Sequence, residues 1–204
     1  MSTVRPVLLA ALAAFSACTP SPEPAVAPAD AAVADVSLNP DSGDAAPDAA
    51  PDTTVVIALD PDGLRFVDTA TGAARPQPFG TPEADGVRAD AARVGVPGEA
   101  SRNEECGDGP LAFSTWPDGL RLAFQDGRFA GWFVGERASP RLTTMGGIGI
   151  GTRRADLDAV VVATVAPSTL GVEFAAGGLF GLLSSDRPDG RVTDLWAGVS
   201  CAFR

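Results

Sequence analysis

The sequence predicts an α+β domain of two related helix-plus-antiparallel-sheet halves, placed after a long acidic tether. Three observations predict it. Two segments read as short helices, each opened by a Gly-Thr pair, at Gly80-Thr81 and Gly151-Thr152. Nine short apolar runs, separated by Pro-Asp-Gly and similar turns, read as strands. The helix starts and the strands after them also recur in the same order, so residues 53–140 form a first half and 141–204 a second.

The chain begins with one basic residue, Arg5, an apolar run from Pro6 to Phe15 and the small residues Ser16-Ala17. A basic head, a short apolar stretch and small residues before a cut are the marks of an export signal over residues 1–17. Cys18 stands directly after the cut, and Phe15-Ser16-Ala17-Cys18 resembles the lipobox of bacterial lipoproteins, with Phe15 where an aliphatic residue is usual. The resemblance implies that Cys18 is lipidated and holds the protein to the bacterial cell envelope, at the periplasmic side of the outer membrane or at the cell surface. A plain secretory cut after Ala17 is the alternative. The apolar run is shorter than the ~20 residues that span a bilayer.

Residues 19–52 are almost wholly Ala, Pro, Asp, Ser and Val, with no aromatic residue and no Arg. Such a segment buries too little apolar surface to offset its ordering entropy, so residues 18–52 are expected to be a lipidated Cys plus a disordered linker. At roughly 3.1 Å per residue the linker could reach about 100 Å. It carries seven of the 26 acids and none of the 15 bases. The rest is nearly balanced and has no basic patch, which argues against nucleic acid as a partner.

Each domain element follows from local chemistry. Thr54 to Leu59 and Leu64 to Val67 flank a Pro-Asp-Gly turn as a hairpin should. Thr81 is placed to cap a helix, Pro82 suits its first position, and Ala84, Val87, Ala91 and Val94 form its apolar stripe before Gly95 and Pro97 stop it. Leu111 to Thr115, Leu120 to Phe124 and Arg128 to Val134 read as a meander. The second helix is capped at Thr152, striped by Leu157, Val160, Val161 and Thr164, and ended by Pro167. Leu170 to Phe174, Leu179 to Leu183, Arg191 to Trp196 and Val199 to Phe203 follow as strands. The internal repeat aligns Phe79-Gly80-Thr81 with Ile150-Gly151-Thr152 and Asp126-Gly127-Arg128 with Asp189-Gly190-Arg191. On these signatures the region from Pro78 to Cys201 resembles tandem modules of the β-lactamase-inhibitor-protein and SmpA/OmlA lipoprotein superfamily. The resemblance implies binding of other proteins or service in envelope assembly, and carries no functional residue across.

Function is read largely by exclusion. The chain has no His, no Tyr and no Lys. Nucleophile–imidazole pairs, imidazole metal sites, Schiff bases and the phosphate-loop lysine are therefore ruled out. The run Gly146-Gly147-Ile148-Gly149-Ile150-Gly151 departs from a dinucleotide loop, because Thr152 stands where the third Gly is required. No catalytic set, metal site or cofactor is expected. Setting Cys18 aside leaves Cys106 and Cys201, an even pair in an exported domain, which is the arithmetic of one disulfide. Among the aromatics, Phe133 and Trp116 are the candidate binding surface on a concave sheet face, Phe133 because it follows Trp132 and so points to the opposite side of its strand. The expected activity is non-catalytic binding of an envelope protein or glycan by a monomer. A structural spacer without a ligand and a carboxylate- or metal-dependent hydrolase are the rivals.

Overall fold

The computed structural model describes residues 54–201. The signal, Cys18 and the linker lie outside the described residues. In chain order the elements are β1 (Val55–Asp60), β2 (Gly63–Asp68), β3 (Ala74–Pro78), α1 (Glu83–Val94), β4 (Glu99–Asn103), β5 (Leu111–Thr115), β6 (Arg121–Gln125), β7 (Arg128–Val134), β8 (Thr143–Thr144), α2 (Arg154–Val160), β9 (Thr164–Ser168), β10 (Gly171–Ala176), β11 (Leu179–Leu183) and β12 (Val192–Gly198). They form a four-stranded sheet, β3-β2-β1-β8, and an eight-stranded sheet, β4-β5-β6-β7-β12-β11-β10-β9.

This corrects the predicted fold class. The domain is mostly β, with two short helices among twelve described strands, and its sheets do not divide into two helix-plus-sheet halves. The small sheet takes β1–β3 from early in the chain and β8 from after residue 140, with β8 parallel to β1. The large sheet runs unbroken through the β7–β12 pairing, where Phe133 meets Trp196. Two physical reasons account for the miss. The β4 segment Glu-Ala-Ser-Arg-Asn is exposed and polar, so it carries no period-2 signal; its ladder to β5 holds it. The second helix stops at Val160, and Thr164–Ser168 pairs with β10 as β9, with Pro167 inside that edge strand. Of the two strands expected between Arg191 and Phe203, the first is β12; the second has no strand over its described residues 199–201, and the rest of it lies outside the described residues.

The helices differ from expectation in their detail too. α1 turns Gly86 and Asp90 inward, and Val87, Ala89 and Val94 pack beside them. Thr81 does not cap it; its hydroxyl donates to the Pro78 carbonyl at 2.8 Å. Thr152 likewise does not cap α2, and its hydroxyl accepts from the Gly149 N–H at 3.0 Å.

One core joins the layers. Ile57, Leu59, Leu64 and Phe66 from the small sheet meet Leu122, Phe124, Trp132, Val134 and Leu195 from one face of the large sheet, with Leu157 of α2. Trp132 donates its indole N–H to the Asp60 carbonyl at 2.8 Å, which ties the two sheets. The repeated residues make repeated contacts. Gly80 N–H donates to Phe129 O and Phe129 N–H to Thr81 O; Gly151 N–H donates to Val192 O and Val192 N–H to Thr152 O. Arg128 and Arg191 then bond the carbonyls of Gly80 and Gly151 at 3.0 and 2.8 Å. The repeat is thus a local clasp between a Gly-Thr turn and the start of a strand.

Candidate functional site

Side chains alternate across a sheet, so the register fixes which residues share the face turned away from the core. Across β6, β7, β12 and β11, Arg121 pairs with Phe133, Phe133 with Trp196, and Trp196 with Phe180. One row therefore runs cation, aromatic, aromatic, aromatic across four strands. Trp196 and Phe180 stack, with ring centroids 6.4 Å apart and planes 17° from parallel. Phe133, in the middle of the row, is 37 % exposed.

Arg121, Phe133 and Trp196 of this row line a recess of about 290 Å³, and Phe180 lies outside the lining. Leu182 and Leu170 extend its apolar lining. On one side Arg121 lies over the Phe113 ring at 3.8 Å from guanidinium carbon to centroid. Burial holds its guanidinium below the ordinary arginine value, and Glu99 acts weakly in the opposite direction. Its Nε is buried and has no described hydrogen-bond partner. Asp194 lines the recess as well.

The last wall is the chain that leaves β12. Gly198, with φ of 73°, turns the backbone so that Val199 folds over Gly131. A Cβ on Gly131 would lie 2.2 Å from the Val199 carbonyl oxygen, so only glycine admits this crossing. Cys201 then bonds Cys106, with an S–S distance of 2.07 Å and Cα atoms 5.1 Å apart. Cys106, Leu111, Phe113 and Ala123 form a second small core against Val199 and Cys201. The disulfide expected from cysteine parity is therefore present, and Val199 to Cys201 form part of the recess lining.

The two surface candidates separate. Phe133 lies on the open face opposite buried Trp132, as the alternation required. Trp116 does not: it is 2 % exposed and donates its indole N–H to the Gly95 carbonyl at 2.7 Å, closing the end of α1 over the core. It is a core residue, and the assignment to a binding surface is corrected. Arg121 and Asp194 were missed. For Arg121 the signal was alternation, since it stands between the buried Leu120 and Leu122; Asp194 follows the partly buried Thr193, where the β11–β12 register shifts, so alternation does not mark it.

Among the described residues no three acidic or Cys side chains converge as metal ligands, and no helix is long and apolar enough to cross a membrane. Comparison of the chain with family models, curated proteins and solved structures gives no match.

Proposed function

We propose that the protein is an exported lipoprotein, acylated at Cys18, that presents its β domain as a non-catalytic binding module of the bacterial cell envelope. The recess around Phe133 is its ligand site. One observation carries this reading: an aromatic row with a half-exposed phenylalanine at its centre, bounded by a desolvated arginine, on an open sheet face. Apolar concavities with a few placed polar groups are the usual form of a ligand site. Aromatic residues and arginine are also the side chains that dominate binding energies. The likeness of the Gly80-Thr81 and Gly151-Thr152 turns to the β-lactamase-inhibitor-protein and SmpA/OmlA superfamily favours a protein ligand over a glycan.

The test places a photo-crosslinking amino acid at Phe133 of the full chain in the producing bacterium. Val162, almost wholly exposed and outside the recess lining, serves as control position. One dominant adduct from position 133 and none from 162 is expected. No adduct at 133, or the same adducts at both, would overturn the proposal in favour of a spacer.

A further inference from the structure

Asp90 faces the core from the middle of α1 and is 0 % exposed. Its neighbour across the α1–β3 seam is Gln77, 5 % exposed, whose Nε2–H donates to Asp90 Oδ2 at 3.2 Å. The two remaining oxygens, Asp90 Oδ1 and Gln77 Oε1, are both buried with no hydrogen-bond partner among the described residues. Both are acceptors, so the seam is short of one donor. An ionised carboxylate cannot supply it. A neutral carboxylic acid can, because its O–H donates while its other oxygen accepts from the amide.

We infer that Asp90 and Gln77 form a proton-operated latch between α1 and β3, in which the neutral acid and the amide close a reciprocal pair and ionisation of Asp90 opens it. The surroundings favour the neutral form. Burial pushes the Asp90 carboxyl up to about 7, the Gln77 bond opposes this, and Asp118 in the β5–β6 turn adds to it. The Gln77 bond is what draws the carboxyl down, and the charged groups around α1 have the following contacts. Arg75 of β3 and Arg93 of α1 lie over the Phe66 ring. Asp60 of β1 is paired with Arg65 of β2, and Asp68 of β2 accepts backbone N–H groups of its own turn. Arg128 of β7 is bonded to the Gly80 carbonyl, and Asp85 of α1 is paired with Arg88. Glu83 stands in the first turn of α1.

The folded state holds the proton up to a higher pH than the unfolded chain, whose carboxyl titrates near 3.8. The stabilisation is complete below the unfolded value and is lost as pH rises through about 7. The chain has no His, so no imidazole titrates in that window.

The test compares urea unfolding of the full chain and its Asp90→Asn variant at pH 5.5 and 8.5. Asparagine can make the same reciprocal pair without a proton. The wild-type folding constant should fall about thirtyfold more than that of the variant. Infrared spectra of the wild type should show a neutral-acid carbonyl band at pH 5.5 that is lost near pH 7, which needs no variant. An equal fall in both proteins, or no such band, would overturn the inference.

Discussion

Removing the disulfide is the perturbation whose magnitude the structure fixes best. Cys106 and Cys201 are 95 residues apart in sequence. In the chain-entropy account, freeing a loop of that length gives the unfolded state about 4.7 kcal/mol at 25 °C. The native side compensates little, because the cluster around the bridge is small: Cys106, Leu111, Phe113 and Ala123, with Val199 beside them. The double substitution Cys106→Ala/Cys201→Ala avoids leaving reactive thiols. Urea unfolding followed by tryptophan fluorescence suits the assay, since Trp116, Trp132 and Trp196 are all buried. With a slope of about 2 kcal/mol per molar urea, the midpoint should fall by roughly 2 M. A loss below about 1 kcal/mol would instead mean that packing of Val199 and Gly131 holds the last wall without the bridge.

Phe133→Ala should cost only about 1 kcal/mol of stability, because the ring is partly solvated in the folded state, and circular-dichroism melts would show it. Gly131→Ala should cost about 1–3 kcal/mol in the same melts, since the new methyl meets the Val199 carbonyl. Cys18→Ser should move the protein from the membrane pellet to the soluble fraction of the envelope; retention in the pellet would end the lipoprotein reading. Between pH 5.5 and 8.5 Asp90→Asn should lose about thirtyfold less of its folding constant than the wild type, as measured by paired urea titrations.

What the sequence made legible was set by period and by turns. β5, β7 and β11 have the predicted bounds because each is an apolar run closed by turn residues. The first hairpin follows from Pro61-Asp62-Gly63, and Gly63 is itself the first residue of β2. β3, β4 and β8 were not legible, because they are polar or very short and exist through pairing with neighbours distant in the chain or exposed on an edge. The inward face of α1 was misplaced for a related reason. An apolar stripe points to Ala84 and Ala91, whereas a glycine and an acid are what β3 accommodates, and a buried Asp has no hydropathy signal. The recess was half legible. Alternation placed Phe133 outward once Trp132 was inward. The partners Arg121, Trp196 and Phe180 belong to the same row only through cross-strand register, which no single segment encodes.

The proposed ligand site binds its partner through Phe133 at the centre of the recess. Its most direct test is the Kd of the crosslinked partner for the purified wild-type chain and for Phe133→Ala, with Val162→Ala as control. Weakening of at least about tenfold, or ~1.4 kcal/mol, in Phe133→Ala with no change in Val162→Ala is the predicted result. Equal affinity for all three would contradict the claim.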